Sequence, residues 1–447
     1  MIGISDARDR YLSIFQKIEK EIPPGRRPWV HATRREAIER FEALGFPTTR
    51  MEDWRSTSVA PIAEGSFRLP DAHDAGDVTV SDIRPFRFDP WPGSTLVFVN
   101  GCFDPELSRI RPSREGVFAG SLAEAIVSRR EAVEPHLARI ACFADHAFTA
   151  LNTAFLDDGA CVVLPRSAAP DEPIHILHLA SCAGGGVMAH PRTLIVAGEG
   201  SRATLLETYA GLDGAASFTN AVTEIALEDG AVLDHYRVQI EGRAAFHVST
   251  TQALLGRSAA LASHSISLGG ALARNDVVVT LAGEGADCTL NGLYVVSGRQ
   301  HVDNHTLIDH AKPHGSSRQL YKGVLGGRSR GVFDGRIIVR KDAQKTDARQ
   351  VNRNMLLSEN ALVDTKPQLE INADDVKCTH AATIGQLEPD KLFYLRARGL
   401  DEAAARTLLT QGFVQDLLAR LRIGVLRAGL ESMIFNRFDR AEMAEEV

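Results

Sequence analysis

A strand-like block that returns every 26 to 29 residues along the middle of the chain limits its fold more than any other feature. "GEGSRATLLETY", "LEDGAVLDHYRVQ", "LGRSAALASHSIS", "GEGADCTLNGLYV", "GRSRGVFDGRIIV" and "LSENALVDTKPQLEI" share one plan: a small or polar turn, a small residue, then alternating strand. Ala203, Ala231, Ala260 and Ala286 anchor the first four blocks; Gly331 follows after somewhat under two such steps, and Ala361 after one more. A period of this size marks a solenoid, in which a repeat buries its face only by stacking on its neighbours. Runs such as "CVVLP", "IHILHL", "RTLIVAG", "DVVVTLAG", "GLYVVSG" and "GRIIVRKD" are rich in Val, Ile and Leu, and most are closed by Gly or Pro. No convincing amphipathic helix separates them. The core is therefore expected to be mainly β, a β-solenoid of the parallel β-helix type.

Helical patterns flank it. "SDARDRYLSIFQKIEKEI" sets Tyr11, Ile14, Phe15 and Ile18 on one stripe, and "TRREAIERFEALGF" does the same with Ile38, Phe41 and Leu44. Pro23, Pro24 and Pro28 separate the two. A strand-like "STLVFVNG" and a helical stretch from about 121 to 155 lead into the core. After Gly399, "DEAAARTLLTQGFVQDLLARLRIGVLRAGLESMIF" opens with an acidic first turn and carries Leu408, Leu409, Phe413, Leu417, Leu418 and Leu421 on a wide apolar stripe. Such a piece either caps a solenoid end or docks a partner. The expected division is 1–95, helical; 96–157, a strand and helical connection; 158–385, the β-helix; and 386–447, helical again.

Charge and cysteine content exclude several classes. A formal charge of −7 argues against a nucleic-acid binder that works by phosphate neutralisation. No apolar run approaches the ~20 residues of a membrane span, and the charged N-terminal stretch reads as no secretory signal. Cys102, Cys142, Cys161, Cys182, Cys288 and Cys378 are scattered without a C-x-x-C pair, which argues against a zinc ribbon or disulfide scaffold and for a reducing cytoplasm.

Several catalytic outlines fail on their context. Gly198-x-Gly200-x-x-Ala203 resembles a dinucleotide fingerprint, yet "ATLLETYAG" is β-prone where a helix is required. Gly327-x-Ser329-x-Gly331, with Asp364 and His380 downstream, outlines a nucleophile elbow but is followed by another strand. No Walker A sequence is present, so ATP hydrolysis would come from another chain. His301, His305, His310 and His314 are dense enough to suggest metal, but their spacing fits polar strand and corner positions better. The basic stretch from Arg318 to Arg353 is interleaved with acids and reads as a solvated strand face.

"DDVKCTHAATIG" is harder to dismiss. If it is a strand, Cys378 and His380 share one face, two residue rises apart. Two ligands do not complete a tetrahedral centre, so the others would come from elsewhere in the fold or from a partner. A neighbouring imidazolium would favour the thiolate, the form that binds iron and accepts sulfur. A buried cysteine beside a hydrogen-bonded histidine explains the same letters equally well.

"DDVKCTHAATIGQLEPDKLFYLRARGL" resembles the C-terminal signature of the SufB/SufD family of iron–sulfur cluster assembly proteins. "GFPTTRMEDWRST", with Pro47, Glu52 and Trp54, resembles that family's N-terminal segment, and "FTALNTAFLDDGACVVLP", with Asn152, Phe155 and Gly159, resembles its approach to the core. "HVDNHTLIDHAKPHGSSRQLYKGVL", "VFDGRIIVRKDAQKTDARQVNRNMLLSENALVDTKPQLEI" and "LFYLRARG" match its core and exit, so the likeness runs from about residue 45 to 435. SufB sequences typically carry an acidic residue after the histidine and SufD sequences more often glycine. Ala381 stands there in this chain, which on the whole looks more like the SufD branch.

The resemblance implies a right-handed parallel β-helix core flanked by N-terminal and C-terminal α-helical domains. It also implies a non-catalytic scaffold that pairs with a SufB-like paralogue and a SufC-like ABC ATPase in the cytoplasm. Cys378 and His380 would lie at the SufB interface, where a cluster or its iron assembles. Phe393, Tyr394, Leu395, Arg396, Arg398 and Gly399, with the C-terminal helices, would dock the ATPase. No cofactor would be bound tightly by the isolated chain: iron or a cluster would be transient, and a flavin in the complex is compatible but not pointed to by any residue. A homodimer in the absence of partners is also compatible. The rival expectations are a SufB-type paralogue that carries the cluster itself, and a β-helix carbohydrate-active enzyme. The latter needs paired carboxylates and usually aromatics, and this chain is 6% aromatic with no paired acidic cluster on a strand face.

Overall fold

The computed structural model describes residues 4–21, 28–70, 78–113, 115–181, 186–212, 214 and 216–439. Pro23, Pro24 and Cys182 lie outside them. From Gly159 onward the chain alternates between two walls of a parallel solenoid of about eight turns. One wall neighbours β1 (Thr95–Val99), β5 (Ile174–Ala180), β8 (Arg202–Gly211), β10 (Val232–Gln239), β12 (Ala260–Ser267), β14 (Asp287–Val296), β16 (Ser316–Leu325), β18 (Asp347–Leu356) and β20 (Lys377–Gly385). The other neighbours β4 (Gly159–Leu164), β7 (Arg192–Ala197), β9 (Ser217–Leu227), β11 (Phe246–Leu255), β13 (Leu272–Leu281), β15 (His301–His310), β17 (Arg330–Val339) and β19 (Leu362–Ile371), with β6 (Val187–Ala189) beside β9.

Register explains the uneven repeat. On the first wall Val232, Ala260, Asp287, Ser316, Asp347 and Lys377 stack in steps of 27 to 31 residues. On the second, Phe218, Phe246, Leu272, His301, Arg330 and Leu362 stack in steps of 26 to 32. Ala203, Ala231, Ala260 and Ala286 lie in or beside strands of the first wall, whereas Gly331 and Ala361 lie in or beside strands of the second. The irregular step is thus a hop from one wall to the other, not a defect in the repeat.

Alternation sends every second side chain inward. One inward column reads Ala203, Leu233, Leu261, Cys288, Ser317, Ala348, Cys378, and it joins Leu205, Ile225, Leu255, Leu281 and Ile337 in the main core. Each large aliphatic buried here stabilises the fold by about 1.5–3 kcal/mol. The early turns depart from this plan. Glu207 and Arg237 face each other across β8 and β10, and His235 lies 2.9 Å from Glu207. Glu241 lies 2.8 Å from His247 and accepts from Thr219 at 2.6 Å. Buried polar groups persist only when partnered, and these partner one another. Burial raises the Glu207 carboxyl, but the His235 hydrogen bond and charge outweigh it and hold the group at about 2.

The outer faces are covered unequally. Tyr11, Phe15, Ile38 and Phe41, from helices Ile4–Glu21 and Pro28–Leu44, pack with Phe148, Phe155, Phe218, Val248 and Leu272. On the first wall, Leu206, Tyr236, Val238, Ile266, Leu293 and Val295 form an apolar outer face. Val414, Leu417, Leu418, Leu421, Leu426, Leu430 and Ile434 cover it. The expected C-terminal helical run is three helices, Pro389–Ala397, Glu402–Leu418 and Gly424–Asp439, and it begins ten residues before Gly399. The last two lie along the side wall rather than across an end, because that is where the exposed strand positions are apolar. Among the described residues, no helix is long and apolar enough to cross a membrane.

The two ends differ. At the first, β2 (Cys102–Arg109) pairs antiparallel with β1, and β3 (Phe118–Ser121) pairs antiparallel with β4. At the last, β20 pairs with β18 and β19 with β17, and among the described residues no further strand lies on their outer edges.

Candidate functional site at the open end

"KCTHAATIG" is a strand, β20, and nothing among the described residues stacks on it. Cys378 and His380 therefore end two inward columns. Cys378 is half-buried against the main core beside its register partner Ala348. His380 is exposed, one rung above Gln350. Below it Gln350 donates to Gln319 at 2.9 Å, and Gln319 to Thr306 at 2.6 Å. The Gln350 Oε1 is left buried without a partner in the rung facing His380. An acceptor there can fix the orientation and tautomer of an imidazole.

The surroundings of Cys378 do not favour the thiolate. Burial is the largest influence on Cys378 and raises its pKa, Asp347 adds to it, and a backbone hydrogen bond from Ala348 only partly offsets the rise. Burial favours the protonated form here, and a bound metal or a partner's cation would act to draw off the proton. Among the described residues no group of three or more His, Cys, Asp and Glu side chains could hold a metal ion. Cys378 and His380 thus stand as two adjacent donors without the rest of a coordination shell.

The other sequence candidates are dispersed. His301 lies 2.9 Å from the Thr57 hydroxyl, and His305 lies 3.0 Å from Asp303. Burial acts to lower the His305 pKa, but Asp303 outweighs it and the net shift is upward. His310 points inward to Ser317 at 2.9 Å, and burial pushes it down to about 4; His314 sits in an exposed corner with φ 59°. His301 and His305 share the Thr57–Asp303 network on the outer face of the second wall, whereas His310 lies in the interior and His314 at a corner, so the four make no common site. Gly200 (φ 67°) and Gly327 (φ 62°) are left-handed solenoid corners, each followed by a strand, so neither glycine motif meets a helix N-terminus. Ser329 is fully buried and cannot serve as a nucleophile.

The segment "MEDWRST" is a strap across the second wall. The Arg274 guanidinium lies 3.7 Å above the Trp54 ring, donates to the Asp53 carbonyl at 2.8 Å and pairs with Asp276 and Asp303. Thr57 donates to Asp303 at 2.6 Å, and Lys366 of β19 reaches Glu52 at 2.7 Å. Helix Pro389–Ala397 buries none of its residues, and Phe393 and Tyr394 are 75% and 57% exposed. Arg398 lies over the Tyr394 ring at 5.2 Å, Arg396 is 3.4 Å from Glu402, and Gly399 (φ 96°) ends the helix. Leu395 is half-buried.

These features define a class: a β-solenoid protein that offers donor side chains on an open terminal rung and an aromatic helix beside it, rather than an enclosed cleft. Residues 179–413 match the model of the SUF system FeS cluster assembly SufBD core domain, and residues 5–176 match the SufBD protein N-terminal region. A SufBD family iron–sulfur cluster assembly protein of Synechocystis sp. (strain PCC 6803) is 32% identical over 90% of this chain and 89% of its own length. Iron–sulfur cluster assembly protein SufD of Escherichia coli (strain K12) is 30% identical over 86% of this chain and 88% of its own. The SufD of Bacillus subtilis (strain 168) is 26% identical over 95% and 96%. The chain belongs to the SufBD family of iron–sulfur cluster assembly proteins, close to its SufD members. Membership places it among the partners of the SUF system in general.

Proposed function

We propose that this chain is a non-catalytic, SufD-like scaffold subunit acting in the cytoplasm. It pairs through its open rung with a SufB-like paralogue and docks a SufC-like ABC ATPase on its C-terminal helices. The observation that carries this reading is the last rung: Cys378 and His380 adjoin on a strand with nothing among the described residues stacked upon it and no full ligand set among them. A partner edge pairing with β20 would supply both the missing strand and the missing ligands. Iron or the nascent cluster is then cargo held between two chains, and the isolated chain has no resident cofactor. Phe393, Tyr394, Leu395, Arg396, Arg398 and Gly399 form the ATPase contact, since the helix has no fully buried residue and turns Phe393 and Tyr394 to solvent. Without partners, the same open edges would pair two copies.

The test is co-expression with SufB-like and SufC-like partners, reading cluster absorbance per complex. Cys378→Ala and His380→Ala are expected to fold and assemble but to lower cluster yield several-fold. Unchanged yield in both would remove these residues from the site. A cluster reconstituted on the isolated chain would instead favour the SufB-type reading.

A further inference from the structure

The outer face of β16 and β18 carries a charge arrangement that a sheet does not adopt for stability. Arg318 is the register partner of Arg349, and Lys322 is the register partner of Arg353. Neighbouring strands lie about 4.8 Å apart, so two like-charged pairs are stacked side by side, and directly opposed like charges destabilise a sheet. Two of the four cations are answered within the chain. Arg318 meets Asp347 at 2.6 Å, and Lys322 pairs with Asp416. Arg349 and Arg353, exposed on the outward positions of β18, have no hydrogen bond or ion pair to any described residue.

The C-terminal part of helix Glu402–Leu418 and the residues after it wall this face. The resulting groove of 270 Å³ is lined by Arg318, Arg349, Arg353 and Arg420 over Leu320 and Val351. Its one carboxylate, Asp416, is already engaged by Lys322. Toward the open end, Arg349 and Arg353 are followed in register by Thr379 and Thr383, so the next rung adds no acid. Four arginines in one groove are unusual in a chain of net charge −7. Guanidinium forks match carboxylates in bidentate geometry. Arg349 and Arg353 are four residues apart on a strand, about 13 Å. That separation exceeds what a single phosphate bridges and suits carboxylates spaced along an extended peptide, with an apolar side chain between them on Leu320 and Val351.

We propose that this groove binds an extended, carboxylate-rich segment of a partner protein. The inference does not rest on the cluster reading, because Arg349 and Arg353 face away from the Cys378 and His380 columns. The test is fluorescence anisotropy of the full chain with a labelled Glu-Glu-Leu-Glu-Glu-Leu peptide. The double variant Arg349→Ala/Arg353→Ala is expected to weaken binding at least tenfold, and the wild-type affinity is expected to fall steeply with added salt. Arg50→Ala, an exposed arginine elsewhere, is expected to bind as wild type. The melting temperature of the double variant is expected to stay level or rise, since only opposed cations are removed. Unchanged binding in the double variant, or an equal loss in Arg50→Ala, would overturn the site. Inorganic phosphate displacing the peptide at equimolar concentration would overturn the peptide assignment in favour of a small-anion site.

Discussion

The two ends of the solenoid solve the same problem in opposite ways. At the first, β1 and β4 take antiparallel partners, and β9, two rungs in, is buried along its whole length. Here ions are buried between the second wall and the helical segment that covers it: Arg192 donates to Glu224 at 2.7 Å, and Glu224 also accepts from the backbone nitrogens of Ala138, Ile140 and Ala141. At the last, β19 and β20 are exposed over most of their positions and keep Leu362, Ile371 and Ile384 in solvent. Unpaired edges invite association with another chain, and proteins that do not use them blunt them. The first end is built for stability. The last leaves its strand edges unpaired among the described residues.

The largest effect should come from the closed end. Glu224→Ala leaves Arg192 buried without its counter-charge, and removal of one partner from a buried pair costs about 3–5 kcal/mol. A urea midpoint indistinguishable from wild type would show that this pair does not secure the first turns. Next, the same deletion should read differently along one solenoid. Leu261→Ala in the interior is expected to cost about 2–5 kcal/mol, and Leu362→Ala on the open rung no more than about 0.5 kcal/mol. Equal losses would mean that the last rung is covered in the free chain.

Acid should loosen the closed end first. Burial holds His175 at about 3, His178 at about 4 and His190 at about 3. The unfolded chain therefore binds more protons as pH drops below the ordinary imidazole value of about 6.5, and stability falls with it. The contribution is fully present above that value and is lost progressively down to the folded values. Hydrogen exchange at pH 7 and pH 5 should show protection falling in β5 and β6 more than in β17 and β18; uniform loss would contradict this. The smallest stability effect belongs to Phe393→Ala and Tyr394→Ala, within about 0.5 kcal/mol, while capture of the ATPase partner is expected to drop at least tenfold. Retained capture would move the docking surface elsewhere.

Much of this was legible beforehand because β-solenoids write their geometry as a period. Turn residues such as Gly200 and Gly285 recur where the backbone needs a positive φ, and alternation placed Cys378 and His380 on one face. The stripes with Tyr11 and Phe41 found their core for the same reason. The sheet hop at Gly331 was not legible, since strands of both walls look alike when read as letters. Nor was the buried set of Glu207, Arg237, His247 and Glu241: polar residues at inward positions read as outward ones until the register is known. Alternate inward positions that carry partners of opposite charge were the available signal.

The chain's own letters determined a mainly β solenoid between helical flanks and put one cysteine–histidine pair on one strand face, because periodicity and alternation are local properties. The tertiary structure alone decided which wall each strand joins, that nothing among the described residues covers the last rung and that burial works against the Cys378 thiolate. It also set Arg349 and Arg353 beside like charges. These depend on which distant segments stack, and stacking sets burial and charge neighbours, which sequence spacing does not encode.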